Sequence, residues 1–474
     1  GDDIKNGIAR RHMGLAGRFS YNWKFRYFAD FNFGYNGSEN FADGHRFGFF
    51  PAFSVAWNVA EEPWIKKIAP WCNMFKLRYS WGKVGNDNLN IGGIQYRFPY
   101  LYTIGDGGSY QWGDYSYDRN YVGLKYTDVA SVGATWEVAT KHDVGVDLSL
   151  FNDKFTATVD YFHEQRDGIW MERKYLPAII GLSGITPRAN VGSVLSEGFD
   201  GNFAYRQKIG KVDITVRGNI TYSKNTVLEK DEENNVYPYQ MEEGYRVDQA
   251  KGLIALGLFK DYDDIRNSPK QEFGTVQPGD IKYKDVNGDG VVNDGDRVAI
   301  GATTRPNMIY GFGISGTWKG FDLNVHFQGA GKSSFFIDGP TVYAFSSGEW
   351  GNVLKDVAES DRWISADISG NPATENPNAE YPRLSFGGNS NNYRASTFWL
   401  RDGSYLRLKT LEFGYTLPKQ IVNKIMFNNI RIFFRGSNIL TFSKFKLWDP
   451  ELHSSTGTEY PLSRSLTFGL TVNI

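Results

Sequence analysis

Residues 142–164 read HDVGVDLSLF, then the pair Asn152 and Asp153, then KFTATVDYFHE, with Lys154 opening the second arm. Val144, Val146, Leu148 and Leu150 alternate with Gly145, Asp147 and Ser149, and Phe155, Ala157, Val159 and Tyr161 alternate with Thr156, Thr158 and Asp160. A period of two puts one apolar and one polar face on each arm, the signature of a strand. Two turn residues between the arms predict a tight antiparallel hairpin. The same pattern recurs along the chain. Thirteen strand-like segments are predicted, at roughly 11–22, 26–37, 47–59, 73–85, 138–151, 153–165, 197–208, 211–225, 306–318, 320–332, 403–416, 427–441 and 463–474. Most reach about ten residues or more, the length that crosses a bilayer when a strand is tilted.

The connections fall into two alternating sets. The short set is 23–25, 60–72, 152, 209–210, 319 and 417–426; the other, mostly long, is 38–46, 86–137, 166–196, 226–305, 333–402 and 442–462. In an up-and-down sheet alternate connections lie at opposite ends, so one end is trimmed and the other carries large loops. Transmembrane β-barrels have this asymmetry, with short periplasmic turns and long external loops. An odd number of antiparallel strands leaves the first and last pointing the same way, whereas bacterial single-chain barrels normally have even numbers. The chain is therefore expected to be the C-terminal part of a larger barrel. In the last segment Leu466, Phe468, Leu470, Val472 and Ile474 share one face, as a seam strand requires.

Composition agrees with strands and turns: 53 Gly, 34 Phe, 28 Tyr and 13 Trp stand beside 17 Pro and six Met. Charge is balanced, with 52 Lys and Arg against 53 Asp and Glu, so no global field draws nucleic acid or an anionic surface. No run of about 18 apolar residues exists, which excludes a membrane-spanning helix and leaves strands free to span. No compositional break divides the 474 residues, and one domain is the default. Cys72 is the sole cysteine, so neither an internal disulfide nor a cysteine-based metal site is expected. The N-terminus, GDDIKNGIARR, lacks the apolar core of a signal peptide. Either that segment has been removed or the chain begins in mid-protein.

The most specific local motif lies in the longest loop. Asp285, Asn287, Asp289, the Val291 carbonyl, Asn293 and Asp296, with Gly290 at the sixth position, match the oxygen-ligand pattern of a calcium loop. Aspartate replaces the usual glutamate at the last position, which weakens binding or pulls the loop tighter. Ca²⁺ as a structural clip is the expectation, and an Asx-rich turn without metal the alternative. The substrate-contact candidates are Tyr110, Trp112, Tyr115, Tyr117 and Tyr121, set among Gly, Asp and Ser. Such rings stack on sugars or hold a peptide, and loop self-packing explains them equally well. Trp23, Phe25, Trp57, Trp318 and Phe321, near strand ends, are expected in a membrane-interface girdle. Residues 329–333, GAGKS, end like a phosphate loop but open no helix, and read as a strand end. No nucleophile elbow, zinc-type His spacing or paired catalytic carboxylates appear; Asp143, Asp147, Asp160 and Glu164 alternate with apolar residues as in a wet barrel interior. An enzyme is not expected.

The C-terminal third carries wording that resembles one family. DGSYLRLK from Asp402, FGYTLP from Phe413, Ser437 to Thr441 with Asp449 to Glu451, Trp363 with NPNAEYPRL from Asn376, and the close from Tyr460 to Leu470 resemble SusC-type TonB-dependent outer-membrane transporters of Bacteroidetes. Trp136, Glu137 and the calcium-like loop fit as well; Ile474 departs from the terminal aromatic usual at such a seam. The resemblance implies an all-β antiparallel barrel of about 22 strands with a plugged lumen. Plug, signal peptide and earlier strands would lie upstream. It also implies import of oligosaccharides or, in some members, peptides, a SusD-type surface lipoprotein as lid, and energy from TonB. Neither plug nor TonB contact lies in these residues. The rival expectations are a passive outer-membrane porin and a surface adhesin or structural β-protein.

Overall fold

The computed structural model describes residues 4–111, 120–174, 185–233, 236–348, 351–422 and 427–473. Thirteen strands hydrogen-bond in sequence order in one antiparallel sheet. We number them β1 (His12–Trp23), β2 (Tyr27–Ser38), β3 (Phe47–Asn58), β4 (Cys72–Asn86), β5 (Glu137–Leu150), β6 (Phe155–Glu172), β7 (Arg188–Ile209), β8 (Val212–Glu229), β9 (Met308–Trp318), β10 (Phe321–Gly331), β11 (Tyr405–Thr416), β12 (Asn429–Ser443) and β13 (Ser465–Asn473). All thirteen predicted segments are strands. β6 and β7 run much further than expected, to 18 and 22 residues. The extra length lies at their long-loop ends, since a tilted span needs only about ten residues. Among the described residues no helix is long and apolar enough to cross a membrane.

Contacts divide the chain into two units. One holds the described parts of residues 1–201, 223–236 and 241–244, the other the described parts of 202–222, 237–240 and 245–474. In the first, the register stacks Leu15 on Tyr35, Phe19 on Phe31, Phe31 on Phe53, Phe53 on Trp81, and Val146 on Leu77 and Val159, a single apolar face. Its side chains stay open: Leu15 is 64% and Phe19 65% exposed. Water would charge about 1.5–3 kcal/mol for each such side chain left uncovered, so a face of this extent belongs in hydrocarbon. On the opposite face Arg78 pairs with Asp147 and Asp160, each at 2.8 Å, and Glu164 with Lys141 at 2.9 Å. The second unit repeats the arrangement. Phe312 faces Phe327 and Phe434 faces Phe468 outward, while Arg431 joins Asp322 at 2.5 Å and Glu412 at 2.6 Å on the inner face.

The founding hairpin differs from expectation in its turn. β5 ends at Leu150 and β6 begins at Phe155, so the connection is 151–154 rather than two residues. Phe151, Asn152 and Asp153 all adopt positive φ, 58°, 56° and 61°. Asn and Asp tolerate this conformation; Phe151 does so at a cost of about 1–2 kcal/mol. Its ring, freed from the strand, stacks on Trp71 at 5.4 Å. Among the strand-end aromatics Trp23 stacks on Tyr27 and Tyr27 on Trp57, and Trp318 on Phe321. Phe25 is 69% exposed at its turn. The GAGKS segment is the end of β10: Lys332 turns to positive φ and reaches over the Tyr222 ring.

Replacing Arg78 by Met strips the counter-charge from Asp147 and Asp160. We expect about 1–3 kcal/mol of destabilisation, read as earlier thermal unfolding of the detergent-solubilised protein.

Candidate functional site

The long connections are not plain loops. Those of the second unit build a hydrophobic core of their own from Leu253, Ile281, Tyr283, Val292, Ile337, Trp363, Tyr381 and Trp399, all buried. Short two-stranded pieces brace it: Gln249–Gly252 with Val298–Thr303, Ala255–Leu258 with Ile281–Tyr283, Lys270–Gln271 with Val291–Val292, and Ser334–Phe336 with Leu400–Asp402. At its heart lies Asp280, wholly buried. Its carboxylate accepts from the Gln277 backbone N–H at 2.7 Å, Asn389 Nδ2 at 2.9 Å and Asn392 Nδ2 at 3.0 Å, and pairs with Arg383 at 2.8 Å. Beside it Gln271 donates to the Ile281 carbonyl and Asn391 while accepting from the Tyr283 backbone N–H. A buried charge survives only when so saturated.

Trp363, Tyr381 and Arg383, spread along the family-like stretch, meet here. Trp363 N–H donates to the Tyr381 carbonyl, and Arg383 N–H to that of Gly279. Gly279 has φ 84°, and a Cβ there would stand 2.3 Å from the Trp363 ring, so only glycine fits. A cleft of about 550 Å³ opens against this wall, lined by Lys260, Tyr262, Arg362, Trp363, Asp367 and Glu375 among others. It offers aromatic surface and both signs of charge to a solute at the long-loop end.

The acidic turn 285–296 closes on itself. Asp285 accepts from the N–H groups of Gly288 and Gly290, and Asp289 from Val291. Asp296, fully buried, accepts from the backbone N–H groups of Val286 and Asn293, drawing the two ends of the turn together. Asn293 caps the one-turn helix Asp294–Asp296. Lys270 and Glu272 donate their backbone N–H groups to the carbonyls of Gly290 and Val292. Partial burial, then the charge of Asp296, with Tyr237, Asp289 and Asp285 following, raise the pKa of the Tyr239 phenol. The charges of Asp285, Asp289 and Asp296 all act on this one phenol. Among the described residues none of the three is ion-paired to Lys or Arg, and no three acidic, His or Cys side chains converge closely enough to hold an ion unaided. A cation here would draw on the Asn287 and Asn293 amides and the Val291 carbonyl as well, and this all-oxygen set suits calcium.

Of the aromatic candidates, Tyr110 and Tyr121 face each other across a hairpin of Thr103–Gln111 and Asn120–Asp128, 63% and 56% exposed. Trp112, Tyr115 and Tyr117 lie outside the described residues. Asp280, Asn389 and Asn392 were invisible to sequence reasoning: 109 and 112 positions separate Asp280 from its amide partners, and no local spacing announces them.

No family model matches the chain. It is 26% identical to TonB-dependent receptor P3 of Formosa agariphila over 97% of its own length and 45% of the relative's. It is 22% identical to TonB-dependent receptor SusC of Bacteroides thetaiotaomicron over 97% and 43%. The chain thus spans about half the length of the curated relatives it matches. Among solved structures, the RagAB peptide transporter superposes with a TM-score of 0.74 at 18% identity, over 98% of this chain and 48% of that one. The open-open state of the RagAB peptide importer gives the same score. The resemblance to SusC-type TonB-dependent receptors therefore holds over the whole chain, and the fold is that of their outer-membrane β-barrels.

Asp280→Ala would leave Arg383 and two amides without their partner. A loss of about 3–5 kcal/mol local to the loops is expected. Amide hydrogen exchange should rise over 253–283 and 363–399 while the strands keep their protection.

Proposed function

We propose that the chain forms the C-terminal part of the barrel of a SusC-type active importer of oligomeric nutrients. The observation that carries this reading is the run of thirteen antiparallel strands in sequence order. An odd run cannot close antiparallel on itself, and the relatives are about twice as long. Substrate is captured between the long loops and a SusD-type lipoprotein lid, and TonB-driven movement of a plug opens the lumen. Oligosaccharides are the first substrate class, supported by the exposed Tyr110 and Tyr121, whose faces suit sugar rings. Oligopeptides are the second, supported by the likeness to RagAB, described as a peptide transporter, and by the mixed charge of the 550 Å³ cleft. A passive porin would carry neither plug nor lid.

The test is the intact mass of the protein purified from outer membranes in detergent, with any chain that accompanies it. A polypeptide about twice this length, with a bound lipoprotein, is the expected result. A 53.6 kDa product without partner would overturn the reading.

The turn 285–296 we assign to Ca²⁺ as a structural clip, with Asp285, Asn287, Asp289, Val291, Asn293 and Asp296 as donors. Calorimetry on the intact protein should show uptake at millimolar calcium or below, abolished by Asp285→Ala with Asp289→Ala. Absence of heat at millimolar metal would remove the clip.

A further inference from the structure

The outward face of β1–β4 is not uniform. Ala29 on β2 stands opposite Tyr21 on β1 and Val55 on β3, and Val55 opposite Tyr79 on β4. One row nearer the turns, Tyr27, Trp57 and Leu77 lie side by side across β2, β3 and β4. The methyl of Ala29 among these larger side chains leaves a groove of about 440 Å³. Its rim does not drift. Glu62, 7% exposed, accepts from the Tyr27 hydroxyl at 2.7 Å and Trp57 Nε1 at 3.1 Å, and Arg26 lies 3.6 Å away. Holding two ring planes in place beforehand lowers the ordering cost of whatever enters.

The turns at the groove's foot carry charge. Residues 23–27 and 59–71 contain Lys24, Arg26, Lys66 and Lys67 against Glu61 and Glu62. Lys24 Nζ sits 5.1 Å from the Trp23 ring centre. The helix Pro63–Ile68 exposes Trp64 (51%) and Ile68 (75%) beside its two lysines. An apolar surface rimmed by lysines at the short-turn end is the composition of a segment that lies in a membrane interface. Short turns mark the periplasmic side.

We propose that the groove and these turns hold an anionic glycerophospholipid of the periplasmic leaflet. One acyl chain lies over Ala29 between the Tyr21 and Trp57 sides, and the phosphate meets Lys24 and Lys67, Lys66 being ion-paired with Glu61 at 2.5 Å. The excess of positive charge argues for an anionic headgroup over a zwitterionic one, and the lipid-facing side of the strands argues against a protein occupant. The site rests on that face being in lipid, and release of the protein into buffer without detergent would remove this premise.

Native mass spectrometry of the full-length protein tests the site directly. The protein is stripped in neutral detergent and reloaded with phosphatidylglycerol or phosphatidylcholine. Wild type should retain phosphatidylglycerol through washing that removes phosphatidylcholine. Lys24→Gln with Lys67→Gln should lower phosphatidylglycerol retention by about tenfold and leave phosphatidylcholine unchanged, whereas Ala29→Phe, which fills the groove, should lower both. Equal retention of the two lipids by wild type, or full retention by either folded variant, overturns the site while leaving the importer reading intact. Should one variant fail to fold, the other decides alone.

Discussion

A peptide group placed in hydrocarbon must find its hydrogen bond within the protein, since no water is there to supply one. Everything in this chain follows from meeting that constraint with strands. Pairing each strand with the next in sequence satisfies the backbone of the sheet interior and forces successive side chains to opposite sides. The sequence can then assign one side to lipid and the other to water by alternation alone. This is why Phe19, Phe31 and Phe53 share a face across three strands while Arg18 and Asp30 share the reverse. It also explains why the inner face can carry ion pairs. Arg78 serves two aspartates, and Arg431 an aspartate and a glutamate.

The loops obey a different economy. They lie in water, so no lipid holds their apolar groups, and they are too long to be ordered by their anchoring strands. Their order comes from burying a small core and tying it with polar groups that a core of this kind otherwise excludes. Asp280, Gln271, Asn391 and Asn392 satisfy one another and the backbone carbonyls around them. That knot sets the wall of the cleft near Trp363. In the first unit a smaller version of the device appears. Phe41, Leu89, Trp136 and Trp170 are buried together, and Glu137 accepts from the Trp170 backbone N–H and from Asn86.

What could be read along the chain was whatever depends on near neighbours. The thirteen strands, their faces, the alternation of short and long connections, and the acidic turn are all local patterns, and the wording from Asp402 to Pro418 pointed to the transporters that the comparisons then matched. The differences also have local causes. Asn152 and Asp153 are strong turn formers and predict a two-residue turn after Leu150, and nothing in the sequence shows that Phe151 leaves the strand to meet Trp71, 80 positions away. β6 and β7 extend past their predicted ends, through 166–172 and 188–196, into what reads as a loop along the sequence.

By itself the sequence determined the fold class, the side of each strand that meets lipid, and the end of the sheet that carries the large loops, because a period of two needs no knowledge of distant residues. Only the tertiary structure decided that the loops possess a core, that Asp280 anchors it, that Gly279 must be glycine, and that Ala29 leaves a groove among Tyr21, Val55 and Trp57. Each of these depends on which side chains meet across strands or across a hundred residues of chain, and close packing is a property of the neighbours rather than of the order in which they are written.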